Sequence, residues 1–224
     1  MRSVITDKNS PNETPPGGVL SNMKNSWTGG VAALPIDDPA EENLALAVHR
    51  SEPAAFDRLV ERFEAPLFNY AHGILQNQFD AQEVVQDAML RAHKALTRQY
   101  NDAQCETLLL RPWLFRMVRN LCLNKRRTKS RRREQPLEFD DGRIGPFHAA
   151  DVERREDAEM LRGAMKRLPV EARELIVLRF MEEMSYAEIA KTVGTTEAAL
   201  RGKVFRSLKL LREALEEKGV AYAV

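Results

Sequence analysis

The sequence predicts an all-α protein made of two small helical domains joined by a flexible linker. Apolar residues recur at three- and four-residue steps along most of the chain, and β-branched runs are short. Prolines and glycines concentrate in a few places, above all residues 1–38 and 134–150.

Residues 1 to about 38 are rich in Gly, Pro, Ser, Asn and Thr and lack helical periodicity, so a disordered N-terminal tail is expected. From Glu41 the pattern turns helical. Phe56, Leu59, Val60, Phe63 and Leu67 share one face, and Pro66 within that series predicts a kink or a split. A second helix, over roughly 81–99, turns Val84, Val85, Ala88, Met89, Ala92 and Leu96 inward. Asp80, Glu83, Gln86 and Asp87 line its outer side near the start. A third opens at Pro112, a residue suited to the first helical position. It runs past Trp113, Leu114, Met117, Val118 and Leu121 into a basic end. The stretch EQPLEFDDGRIGPFHAA, residues 134–150, has no periodicity and reads as a linker. Further helices are expected over 152–167, 170–181, 185–192 and 196 to about 217. The division that follows is a tail at 1–38, a first domain at 39–130, a linker at 131–152 and a second domain at 153–224.

Bulk properties exclude several functions. The net charge is +1, so no whole-chain field draws the protein toward nucleic acid or membrane, and the segregation of charge matters more than its sum. Cys105 and Cys122 have neither metal-site nor disulfide-framework spacing, and reduced thiols suit a cytoplasmic protein. The start, MRSVITDKNSPNETPPGGVL, has no continuous apolar core, and no run approaches the roughly 20 apolar residues that span a bilayer. A soluble protein without membrane insertion is expected. HExxH, a glycine-rich phosphate loop and a cysteine–histidine cluster are all missing, and His49, His72, His93 and His148 are scattered. No catalytic residue, cofactor or metal is expected, and the chain does not read as an enzyme.

Two stretches carry a functional signal. In MSYAEIAKTVGTTEAALRGKVFRSLKLL, residues 184–211, Ser185 and Thr196 suit helix N-caps, and Gly194 can take the positive φ of a tight turn. Leu200, Val204, Leu208, Leu211 and Leu215 form an apolar stripe, with Arg201, Lys203, Arg206, Lys209 and Arg212 off it. A solvated amphipathic helix would show the same charge pattern. The turn between two helices of the right length favours a helix-turn-helix, whose second helix presents early residues to base edges. Those are Glu197, Ala198, Arg201 and Gly202.

The second stretch, RPWLFRMVRNLCLNKRRTKSRRR, residues 111–133, holds ten basic residues and no acidic one. A helix C-terminal dipole accounts for two or three cations, whereas ten fit a phosphate backbone. Tyr100, Trp113 and Phe115 flank the polar run NDAQCE, residues 101–106. Aromatics beside cations can stack unpaired bases, at about 1–3 kcal/mol per base. Taken singly, Trp113 reads as a core residue.

FDRLVERFEAPLFNYAHGIL, DAQEVVQDAMLRAHKAL, RPWLFRMVRNLCLNKRR and LPVEARELIVLRFMEEMSYAEIAKTVG occur in that order. Together they resemble the bacterial sigma-70 family, and among its branches the compact extracytoplasmic-function (ECF) sigma factors, over roughly residues 40–215. The resemblance implies that the first domain is sigma region 2 and the second is region 4. It implies binding to core RNA polymerase, through the coiled coil of its largest subunit at Asp80, Glu83, Gln86 and Asp87. Promoter DNA at the −10 element would be opened and read by Tyr100, Asn101, Trp113, Arg116, Arg119, Asn120, Lys125, Arg126 and Arg127. The −35 element would be read by Thr196, Glu197, Arg201, Lys203 and Arg206. A surface near Leu175, Leu178 and Phe180 would take the polymerase flap, and an anti-sigma protein would cover the helix at 81–99 and the second domain. The family often has Asp where Glu83 stands. Its recognition helix usually begins with Thr–Val where this chain has Ala199 and Leu200, and Gly202 is unusual there.

Two magnitudes bear on this reading. Residues 134–150, fully extended, reach at most roughly 55–60 Å, and two elements about 17 base pairs apart lie about 58 Å apart along a duplex. Each opened step costs about 1.4 kcal/mol. A few stacked bases offset a few steps, so the chain would need a larger enzyme to sustain a bubble. The alternative is an autonomous helix-turn-helix regulator. That leaves unexplained why an acidic helix and a basic, aromatic-rich one share the first domain.

Overall fold

The computed structural model describes residues 43–132 and 152–216. The expected tail at 1–38 and linker at 134–150 lie outside the described residues. All regular structure among the described residues is helical.

The first half packs three long helices, α2 (Ala55–Leu75), α3 (Gln78–Arg98) and α5 (Leu110–Arg132), with α1 (Leu44–His49) and α4 (Asp102–Thr107) closing one side. Leu59, Phe63, Leu67, Tyr70 and Ile74 bury the inner stripe of α2. That stripe continues the helix past Pro66, so the expected split does not occur. One missing backbone donor costs less than interrupting five buried contacts. α3 starts three residues before the sequence reading, because Asn77 caps it by accepting from the Asp80 backbone N–H at 2.9 Å. α1 falls where the pattern turns helical from Glu41, although the break after it was not foreseen, and α4 was missed: six residues carry too little periodicity to register. His49 joins them, with Nδ1 2.8 Å from the Leu96 carbonyl and Nε2 3.1 Å from Asp102 Oδ1.

The second half contains α6 (Val152–Arg167), α7 (Val170–Ile176), a π-helical turn (Val177–Met181), α8 (Tyr186–Val193) and α9 (Glu197–Glu216). A single helix over 170–181 was expected, and its last turn is instead widened. Ser185 and Glu188 form a capping box at the start of α8, and Gly194 (φ 74°) ends it. Leu200, Val204, Leu211 and Leu215 are buried as the stripe predicts.

The two halves also pack on each other: α2 against α7 and the π turn, and α5 against α8. One connected core of buried residues runs from Leu44 to Leu215. The sequence suggested two modules on a tether. The contacts between them include Arg111, Arg119 and Glu174, charged residues that in sequence give no sign of pairing across the halves.

Candidate nucleic-acid interface

α8 and α9 meet across the Gly194 turn, with Thr196 at the start of α9 accepting from the Ala199 backbone N–H at 3.3 Å. Glu197, Arg201, Lys203 and Arg206 are exposed on α9. The Arg201 guanidinium lies over the Tyr186 ring, 4.5 Å from its centroid, and Arg179 approaches the same ring at 5.1 Å. Stacking of this kind limits where Arg201 can point. Phe205, one turn on, is 69% exposed. Sequence reasoning missed it, although its place off the apolar stripe was a usable signal. An added Cβ at Gly202 meets nothing within 4 Å, so no packing demands a glycine there.

On α5 the nominated residues divide into groups. Arg116, Asn120, Arg126 and Arg127 are exposed. Lys125 is held by acids of α3, 2.6 Å from Glu83 Oε2 and 3.4 Å from Asp80 Oδ1, and Lys129 also pairs with Asp80. Burial works to lower the Lys125 ammonium, but its hydrogen bond to Glu83 and the nearby charges of Asp80 and Glu83 hold it above its ordinary range. Arg119 is half-buried, its Nε donating to Glu174 Oε1 at 2.6 Å. Burial opposes the charge on Arg119 as well, and Glu174 more than offsets it.

The aromatics need a correction. Phe115 is fully buried, 5.2 Å from Tyr70 between ring centroids, because its position on α5 faces α2. It offers no platform for a base. Tyr100 and Trp113 are half-buried and meet edge to face at 5.8 Å. Asn101 caps α4 through a reciprocal capping box with Gln104, so most of the polar run at 101–106 is helical. Leu109, just beyond it, is 51% exposed.

The outer face of α3 presents Glu83, Gln86 and Asp87, the last paired with Arg91 at 2.8 Å. Asp80 is largely withdrawn into its lysine pairs. Phe79 and Leu90, 72% and 71% exposed, extend the same face at helical spacing and were not foreseen. The surface expected at Leu175 and Leu178 is absent: both are buried in this arrangement, and Phe180 is half-buried. Cys105 and Cys122 are free and buried, and burial pushes the Cys122 thiol up to about 12. Among the described residues no acid, histidine or cysteine cluster could hold a metal, and no helix is long and apolar enough to cross a membrane.

The family model for sigma-70 region 2 matches residues 59–132, nearly all of α2 through α5. That for sigma-70 region 4 matches residues 158–211, most of α6 through α9. The ECF RNA polymerase sigma factor SigM of Mycobacterium tuberculosis is 31% identical over 172 residues, covering 76% of this chain and 82% of its own. The chain belongs to the sigma-70 family, in its ECF branch. The RNA polymerase sigma-H factor of Pseudomonas aeruginosa is 26% identical over 187 residues, 79% of this chain and 94% of that protein. Among solved structures, CnrH in complex with the cytosolic domain of CnrY superposes with a TM-score of 0.55 at 27% identity, over 78% of this chain and 96% of that one. RpoE of Bartonella quintana, in complex with the anti-sigma factor NepR, shares the fold. Its TM-score is 0.56 at 21% identity, over 73% of this chain and 98% of that one. In these terms region 2 is the α2–α5 bundle and region 4 the α6–α9 unit.

Proposed function

We propose that this chain is a promoter-specificity subunit: it binds core RNA polymerase and directs initiation through −10 and −35 elements, under anti-sigma control, in the cytoplasm. The observation that carries the reading is the ordered pair of regions in one short chain, matched across most of its length by ECF sigma factors. The α3 face built from Glu83, Gln86 and Asp87, with Phe79 and Leu90, is the polymerase-facing surface. Acid at its centre and exposed apolar groups at both ends suit a helical partner that is basic at its middle and apolar toward its ends. Arg116, Asn120, Arg126 and Arg127, joined by Arg119 and Lys125 when their carboxylates release them, follow the backbone near the −10 element. Tyr100 and Trp113 supply the stacking surface for an opened base. Arg201, Lys203 and Arg206, with Thr196 and Glu197, read the −35 element in the major groove. The chain supplies recognition, and the chemistry of RNA synthesis belongs to the polymerase.

The test is reconstitution of the full chain with core polymerase, followed by footprinting and run-off transcription on genomic fragments. Protection of two elements about 17 base pairs apart, seen only with polymerase, is the expected result. A polymerase-independent footprint on a palindrome would establish the autonomous regulator instead.

A further inference from the structure

Glu174 of α7, 4% exposed, accepts from the Tyr70 hydroxyl of α2 and from Arg119 Nε of α5, both at 2.6 Å. This triad gives the buried carboxylate two donors and joins α7 to both α2 and α5. Arg173, the residue before Glu174, is also buried, at 7% exposed, but is not matched in the same way. A guanidinium carries five N–H donors and no acceptor. Nη1 of Arg173 reaches the Lys166 carbonyl in the last turn of α6 at a long 3.3 Å. Its Nε has no hydrogen-bond partner among the described residues.

A second cation stands beside it. Arg126 lies seven residues past Arg119, two turns along the same face of α5. Its charge is felt both by Arg173 and by the buried Cys122 thiol. The Arg126 guanidinium therefore lies over the seam between α5 and α7, although the side chain is exposed. Burial first, and Arg126 second, hold the Arg173 guanidinium below its ordinary range, and Glu171 offsets only part of that. Arg119 shows the contrast, because Glu174 more than offsets its burial. A buried cation beside another cation destabilises the fold unless an anion stands between them.

We propose that Arg173 and Arg126 form a binding site for a tetrahedral oxyanion of the phosphate type, held between α5 and α7. Charge and donor geometry select that class. Two guanidinium groups bring two positive charges and forks of N–H donors that match the paired oxygens of a phosphate. A phosphate group with a free terminus carries close to two negative charges above neutral pH. Chloride or a simple carboxylate brings one charge and leaves one guanidinium unmatched. A phosphodiester also brings one, and an intact DNA backbone does not reach a side chain this buried. The free ion and the terminal phosphate of a small molecule share the required chemistry. The site joins the two halves of the chain, so its occupant adds a contact between them. Arg126 is also assigned to the −10 backbone, so the anion and DNA draw on one guanidinium.

The test uses the full-length chain at pH 8, without polymerase or DNA. Chloride at about 0.15 M screens the exposed cations of α5 and α9. Equilibrium dialysis against radiolabelled inorganic phosphate should then show saturable binding at a single class of site. Arg173→Met and Arg126→Ala should each weaken it by roughly 10- to 150-fold, the range for hydrogen bonds to a charged group. Arg126→Ala removes an exposed side chain and does not threaten the fold. Arg212→Ala, an exposed cation of α9 away from the site, should bind as the parent does. Phosphate at several times its Kd should raise the melting temperature of the parent by about 2–4 °C and leave that of Arg173→Met unmoved. In phosphate-free buffer Arg173→Met should melt no lower than the parent, because it removes a buried charge without a counterion. Adenosine 5′-monophosphate as competitor separates the two sources, and either result keeps the site. Displacement of the label means a phosphate terminus is accepted, and no displacement means the free ion alone. No saturable binding, binding indifferent to Arg173→Met and Arg126→Ala, or a lower melting temperature of Arg173→Met without phosphate overturns the proposal. None of these results bears on the sigma-factor reading.

Discussion

α5 and α9 carry the two sets of cations nominated for DNA, and the fold treats them in opposite ways. On α9, Arg201, Lys203 and Arg206 all stand in solvent, with Tyr186 supporting the first by stacking. On α5, Arg119 and Lys125 are taken by carboxylates from other helices, one of them in the other half of the molecule. Side chains of the same type, on helices of similar length, therefore differ in availability. The cations of α9 face solvent, whereas two of those on α5 already hold carboxylate partners. The two acidic captures on α5 differ as well. Glu174 is desolvated, while Glu83 is 74% exposed and screened.

The contrast can be broken most forcefully at Arg119. Arg119→Ala leaves Glu174 buried with the Tyr70 hydroxyl as its remaining partner. Removing one member of a buried pair costs about 3–5 kcal/mol. That cost should appear as weakened packing between the halves, with a larger radius of gyration by small-angle scattering. An unchanged radius would mean that the triad does not hold the halves together. Arg201→Ala comes next. It should lower −35-dependent initiation by roughly 5- to 150-fold, from about 1–3 kcal/mol per base contact. On a template with a scrambled −35 element it should match the parent. Equal loss on both templates would reduce Arg201 to a nonspecific contact.

Gly202→Ala sharpens the comparison on α9 alone. The position is exposed and has open space around it, so alanine should stabilise the free chain by up to about 1 kcal/mol, read in thermal melts. A drop in melting temperature would reveal a packing role for that glycine. Lys125→Ala should have the smallest effect, under about 1 kcal/mol and fading as salt rises. Lys129 still pairs with Asp80 in that variant.

Much of this architecture was legible beforehand, for a local reason. The inward residues of α3, and four of the five in the α9 stripe, are buried where three- and four-residue spacing placed them. The Ser185 cap and the Gly194 turn follow from hydroxyl and glycine chemistry acting within one turn of chain. What escaped was either too short or dependent on distant packing. α4 spans only six residues. Continuity through Pro66 comes from the buried stripe of α2 and its neighbours, which a local rule about proline ignores. Phe115 and Trp113 sit two residues apart beside the same charges, yet one is fully buried and the other half-exposed. Helical phase against α2 decides that, and phase was readable only to within the error of the helix start.

The one-dimensional string settled the family, the order of the two regions and the identity of the charged surfaces, because each is written in short-range spacing and residue type. Which of those charges stand free was decided in three dimensions. Tyr70 and Glu174 lie 104 residues apart along the chain. No periodicity connects residues at that separation, and only packing one half on the other brings that carboxylate under Arg119.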